Sequence, residues 1–162
     1  MDGGLRILVV TVSDRAAAGV YTDESGPAVE DVLREALGEC EVRRIIVPDE
    51  APEIRRALEN PDFDVILTTG GTGLSPRDIT PEVTASVCDR SLPGVAEMLR
   101  NESRKEVATA VLSRGFAGSR RTEEGATVLV NLPGSKRGAA GCARLLTPIL
   151  AHAVEMLSGG DH

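Results

Sequence analysis

Two short apolar runs set the tightest limit on what this chain can fold into. LRILVVTV (5–12) and DVILTT (64–69) are dominated by Val, Ile and Leu and lack the polar–apolar alternation of a strand with one wet face. Runs of this kind form strands covered on both sides, the condition of a parallel sheet. Between them lie PAVEDVLREALG (27–38), with Val29, Val32, Leu33, Ala36 and Leu37 at helical spacing, the strand-like CEVRRIIV (40–47), and the short helical APEIRRALEN (51–60). Pro27 suits a first helical turn and Gly38 a helix end. The order strand, helix, strand, helix, strand predicts an α/β fold, a mostly parallel sheet with helices on both faces.

The second half is read the same way. TPEVTASVC (80–88) predicts a helix with Thr80 as N-cap, Pro81 at its first position and Glu82 in the first turn, where the helix dipole favours an acid. Another helix starts near Pro93, with Val95, Met98 and Leu99 on one face. ATAVLSRGFAG (108–118) and GATVLVNLPG (125–134) read as strand-bearing segments, and SRRTEEG (119–125) as an exposed turn between them. A last helix runs from about Ala139 to Leu157. With 162 residues and no repeat, linker or low-complexity tract, residues 1–162 are expected to form one domain.

Composition removes several function classes. The 25 acidic residues outnumber the 18 basic ones, a net charge of -7, which opposes binding to a nucleic-acid backbone or an anionic membrane surface. Tyr21, Phe63 and Phe116 are the only aromatic residues, too few for base-stacking platforms. Cys40, Cys88 and Cys142 are odd in number and far apart, so neither a disulfide framework nor a zinc site is readable, and Cys88 and Cys142 fall in helix patterns as small buried residues. The opening residues lack a secretory pattern and there is no run of about 18 apolar residues. A cytoplasmic address is therefore expected. The two histidines, His152 and His162, sit in the last helix pattern and at the final position, which gives no support to a nucleophilic triad.

Chemistry is expected where strands end. Gly70, Gly71, Thr72 and Gly73 follow the second buried strand, where an open α/β sheet places its ligand crevice. Glycines there let successive N–H groups converge on an anion, a phosphate cradle, although the same string also suits a plain tight turn. It matches neither the P-loop nor the dinucleotide fingerprint. Asp49 and Asp78 fall on nearby strand-end loops. Two carboxylates facing phosphates repel them unless a divalent cation stands between, so the pair suggests Mg²⁺-assisted phosphoryl or nucleotidyl transfer. Taken singly, each acid also reads as a turn residue. NLPGSKRG (131–138) is a second strand-end anion candidate: Asn131 could read a base or ribose edge or satisfy loop backbone, and Ser135 could bind phosphate or cap the helix. Ser13, Asp14 and Arg15 end the first strand and could grip an anionic substrate or make turn and ion-pair contacts.

The strings SDR, IVPDE, TTGGTGLSPRDITPE, LPGVAEMLR, LSRGFAG and NLPGS occur in this order over about residues 5–155. In this the chain resembles the molybdopterin adenylyltransferase family, the MogA/MoaB-type bacterial proteins and the matching domains of gephyrin and plant molybdenum-insertion proteins. The resemblance implies a three-layer α/β domain assembled as a trimer, in some relatives a hexamer. It implies transfer of AMP from Mg-ATP to the terminal phosphate of molybdopterin, with release of pyrophosphate and a molybdenum-insertion protein downstream. Asp49 and Asp78 fall on the family's two acids, implied to orient Mg²⁺ and the ATP phosphates. Gly70 to Gly73 match its glycine loop, Ser13 and Asp14 its first-strand end near the pterin, and Asn131, Pro133, Gly134 and Ser135 its second loop. Glu97 and Arg100 lie in another family motif without an assigned role, and at Lys136 the string NLPGSKRG departs from many relatives, which have a proline or other residue between the Ser-like position and the basic one. The alternative within the same fold is a molybdopterin-binding carrier that does not adenylylate.

Overall fold

The computed structural model describes residues 4–159; His162 and the outermost residues of the expected domain lie outside that range. The chain runs β1 (Arg6–Val12), α1 (Asp14–Ala17), α2 (Ser25–Leu37), β2 (Glu41–Val47), α3 (Ala51–Leu58), β3 (Val65–Thr69), α4 (Thr80–Val87), β4 (Arg90–Ser91), α5 (Pro93–Ser103), a 3-10 turn (Ala108–Leu112), β5 (Ala117–Thr122), β6 (Gly125–Leu132) and α6 (Lys136–Leu157). The six strands form one sheet in the order β2-β1-β3-β6-β5-β4. β2, β1, β3 and β6 are parallel neighbours, while β5 runs antiparallel to both β6 and β4.

The apolar runs behave as their composition requires. Side chains alternate across a strand, so Ile7 and Val9 of β1 join one core with α2, α5 and α6, while Leu8, Val10 and Val12 join another with α3 and α4. The same split divides Val65 and Leu67 from Ile66 in β3. Two cores on opposite faces make the three layers. α2 buries Val29, Val32 and Leu33 and ends at Gly38, whose φ of 64° is open to glycine and whose N–H donates to Arg34 O. Fully burying a leucine such as Leu33 contributes about 1.5–3 kcal/mol. β2 is an edge strand, and it carries Arg43 and Arg44 outward, charges that discourage further strand pairing.

Several expectations are corrected. Thr80 is not the N-cap of α4: Ile79 holds that position, Thr80 is the first helical residue, and no side chain caps this end. The stretch SDRAAAGVYTDESG (13–26), which reads as a loop from its sequence, is not all loop, because Ser13 accepts a bond from Ala16 N and starts the one-turn α1. ATAVL (108–112) is a 3-10 turn rather than strand. Most of SRRTEEG is strand: Ser119 to Thr122 pair with β6 and only the tip turns. α6 starts at Lys136, three residues before Ala139. Cys88 lies just past α4 in extended backbone, and Cys142 is buried in α6. By length and composition α6 could cross a membrane; here its Ala139, Ala143, Leu146, Leu150 and Val154 stripe packs on the sheet side of the core.

Candidate active site

The strand order 2-1-3 reverses direction between β1 and β3, and in open α/β sheets the ligand crevice lies at such a switch point, outside the carboxyl ends of the strands. Three loops emerge there. After β1 and β2, Asp14 and Asp49 clasp each other: Asp14 N donates to Asp49 Oδ2 and Asp49 N to Asp14 Oδ1, both at 2.9 Å. Arg77 closes the clasp, its Nε donating to Asp14 Oδ2 at 3.0 Å. The Arg77 guanidinium, and secondly the Asp49 amide, hold the Asp14 carboxyl below its ordinary pKa. Asp49 is shifted the other way. Burial pushes its pKa up, the Asp14 amide pulls it down, and the charges of Asp14 and Asp78 push it up again.

After β3 comes the glycine loop, and two of its glycines are obligatory. Gly70 has φ 94° and a Cβ there would stand 2.4 Å from Val12 O. Gly71 has φ 67° and its Cβ would meet Thr80 Oγ1 at 2.2 Å and Asp49 Oδ1 at 3.3 Å. Backbone conformation and space both exclude a side chain. At Gly73 the missing Cβ leaves room for the Asp78 carboxylate, 2.8 Å from where it would be. Asp49 and Asp78 therefore lie against the same four-residue loop, at Gly71 and Gly73. Asp78 Oδ2 also accepts from Ser75 N at 3.1 Å, so the turn role is real as well. Thr80 Oγ1, against Gly71, is a buried hydroxyl with no hydrogen-bond partner.

The glycine loop borders a cavity of about 870 Å³. Gly70, Gly71, Thr72, Gly73 and Asp78 form one wall, and Pro133, Gly134 and Ser135 form another. The two loops nearly touch: a Cβ on Gly134 would be 3.3 Å from Gly70 Cα. Leu74, Val107 and Leu112 supply apolar rim, and Lys105, Arg137 and Arg144 supply cations, with Lys105 paired to Glu102 and Arg137 to Glu106. Ser13, Asp14 and Asp49 do not line this cavity; Asp49 lies against Gly71, Asp14 is clasped to Asp49, and Ser13 caps α1. Ser135 is the N-cap of α6, accepting from Gly138 N at 3.2 Å while bordering the cavity.

Asn131 takes its structural alternative. It is 4% exposed; its amide donates to Thr68 Oγ1 and Thr84 Oγ1, both at 2.9 Å, and its Oδ1 accepts from Phe116 N at 3.0 Å. It braces β6 to β3, α4 and the start of β5 instead of presenting its amide to the cavity. Arg100 likewise holds carbonyls, those of Ser113 and Gly115, and Glu97 is exposed on α5. Arg114 was not singled out from the sequence, although it stands within LSRGFAG; its guanidinium binds the carbonyls of Gly73 and Asp78.

Among the described residues no group of three or more His, Cys, Asp or Glu side chains forms a metal cage. Two carboxylates against one glycine loop fit the donor set of Mg²⁺, a hard cation that commonly takes one or two carboxylates and completes its shell with substrate phosphates and water.

Fold and site define the class: an α/β protein with a glycine loop at a topological switch point and two acids against that loop. The chain belongs to the family described as "Probable molybdopterin binding domain", which matches residues 8–152. It is 40% identical over 160 residues to the molybdopterin adenylyltransferase of Helicobacter pylori, covering 96% of this chain and 89% of that protein. Among solved structures it is similar to the molybdopterin biosynthesis enzyme MoaB of Thermus thermophilus, with TM-score 0.84 and 41% identity over 96% of this chain and 97% of that one. The tungsten cofactor synthesizing protein MoaB of Pyrococcus furiosus gives TM-score 0.86 and 35% identity over 97% and 99%.

Proposed function

We propose that this chain is a molybdopterin adenylyltransferase, moving AMP from Mg-ATP to the terminal phosphate of molybdopterin. The observation that carries the reading is the placement of Asp49 and Asp78 against one glycine loop, at the edge of a cavity of about 870 Å³. Relatives similar over nearly the whole chain carry this name.

The chemistry asks little of side-chain bases. A phosphate monoester has a second pKa of about 6 and is largely dianionic at pH 7, so the attacking oxygen needs no proton removed. That oxygen forms the new bond to the α-phosphorus of ATP; the bond to the bridging oxygen breaks, and the electron pair leaves on pyrophosphate. The protein's work is positioning and charge neutralisation. Gly71, Thr72 and Gly73 let phosphate approach the backbone. Lys105, Arg137 and Arg144 make the potential at the cavity rim more positive, which favours an anion. Asp49 and Asp78 would hold Mg²⁺, which when bound supplies charge neutralisation between the phosphates. Asp49, whose charge is disfavoured by burial and by neighbouring acids, gains from such a cation.

Ser13, the N-cap of α1, is retained as a pterin-side residue, and Asp14 through its clasp on Asp49. A homotrimer, delivery of product to a molybdenum-insertion protein and a cytoplasmic address complete the reading; three cysteines present as free thiols suit a reducing compartment. The test is incubation with molybdopterin, Mg²⁺ and α-labelled ATP. Labelled adenylyl-pterin with an equal yield of pyrophosphate is expected. Tight pterin binding with no labelled product would overturn the enzyme reading in favour of a carrier.

A further inference from the structure

Arg114 lies where three parts of the cleft meet, and none of the chemistry above uses it. It links the 3-10 turn to β5, and its backbone N–H donates to Thr72 O at 2.9 Å. The side chain continues along the same segment. Nε donates to Gly73 O at 2.8 Å, one terminal nitrogen donates to Asp78 O at 2.7 Å, and the other pairs with the Glu82 carboxylate. All four partners belong to residues 72–82, the stretch that carries the glycine loop, Asp78 and the start of α4. The guanidinium is a rigid planar fork with five donors, so it serves two carbonyls and a carboxylate at once; an ammonium, a point charge on a flexible stem, does not reproduce that geometry.

The two carbonyls bracket a loop whose own ties are few. Leu74 is 69% exposed, and the other ties inside the bracket are the turn bonds among Ser75, Arg77 and Asp78 and the Arg77 side chain's bond to Asp14. With Arg114 in place, the backbone of Gly73 and that of Asp78 are fixed to a common point, so the Asp78 carboxylate stays over Gly73 at the cavity edge. The Glu82 pair is a separate matter. Glu82 is 58% exposed, and an exposed ion pair contributes little.

We propose that Arg114 is a positioning residue for adenylyl transfer: by binding the Gly73 and Asp78 carbonyls together it sets the distance and angle between the Asp78 carboxylate and the glycine loop. The proposal rests on the function proposed above. It requires a loss in turnover rather than in substrate affinity, because the groups that contact substrate all remain.

The test pairs steady-state kinetics on wild type, R114M, R114K and E82Q with amide hydrogen exchange on the ligand-free proteins. R114M is expected to lower kcat about 10- to 100-fold with KM for ATP changed less than about threefold, since small misplacements of reacting groups are that costly. R114K is expected to fall close to R114M, and E82Q to stay within about twofold of wild type. Exchange should quicken at the amides of Asp78 and Thr80 while β1 and β3 stay protected. R114M with wild-type kcat, R114K with wild-type kcat, or E82Q as impaired as R114M would each overturn the proposal. A wild-type protein that forms no product contradicts the function itself, and unchanged exchange at Asp78 and Thr80 in R114M then still decides against the tie.

Discussion

Asp49 carries its charge at a cost in the native state, because burial and two neighbouring acids oppose it more than one amide and the Arg77 charge support it. A carboxyl whose pKa is raised on folding contributes stability when protonated; that contribution is present below its ordinary pKa and lost as pH rises through the raised one. Asp14 has the opposite sign: paired with Arg77, it favours the fold above its ordinary pKa and loses that contribution as pH falls through the lowered one. Asp49→Asn keeps an oxygen to accept from Asp14 N and removes the disfavoured charge. Its urea midpoint is therefore expected to match or exceed wild type, by up to about 1 kcal/mol in unfolding free energy, while turnover is lost. A lower midpoint would show that the charge is structural. Both acids were legible in the sequence as strand-end carboxylates. Their setting was not, since the clasp joins Asp14 to a residue 35 positions away. Arg114 escaped for the same reason: its partners are set by the return of a distant loop, not by local pattern.

At the scale of elements, the strands buried on both faces were readable because nothing but apolar run was needed to specify them. β5 was not, for it pairs antiparallel beside a two-residue edge strand and carries Ser119, Arg120 and Arg121, a composition shared with turns. Asn131 shows how far phase reasoning reaches. Val130 belongs to the α2–α6 core and Leu129 to the α3–α4 core, so two-residue alternation turns Asn131 toward α4, but only once β6 is placed between β3 and β5. Asn131→Leu leaves the Thr68 hydroxyl and the Phe116 amide without their partner, while Thr84 Oγ1 keeps its bond to Thr80 O, and each buried unsatisfied group costs about 1–3 kcal/mol. A loss of about 2–4 kcal/mol in a urea melt is expected. Unchanged stability with weakened ATP binding would restore the ligand role instead. In α6, Pro148 has no N–H for Arg144 O, and Thr147 Oγ1 donates to that carbonyl at 3.0 Å. Thr147→Val is expected to cost about 0.5–1 kcal/mol and Thr147→Ser almost nothing, again by urea melt. Equal effects would mean the hydroxyl does not serve the proline gap.

For the whole molecule, function follows from topology. The sheet order brings the ends of β1, β2, β3 and β6 to one side, so loops at residues 13–14, 49, 70–78 and 131–135 converge although they span most of the chain. The alternation of helix and strand made this class of fold readable, and the quoted motifs named the family. Which strand neighbours which is decided by packing of both helix layers, and that no local string records. The convergence puts Asp78 and two glycine-bearing loops around one cavity, with Asp49 against the same glycine loop, in a chain whose overall charge is negative; under the proposed function, backbone and rim cations hold the anionic substrates locally. The most direct test measures Mg-ATP affinity by calorimetry and adenylyl-pterin formation together on wild type, D49N and D78N. The account predicts folded variants that lose product formation by about 10²-fold or more, the scale on which lost electrostatic stabilisation of a reacting centre is felt. Folded variants that make product at the wild-type rate would contradict it.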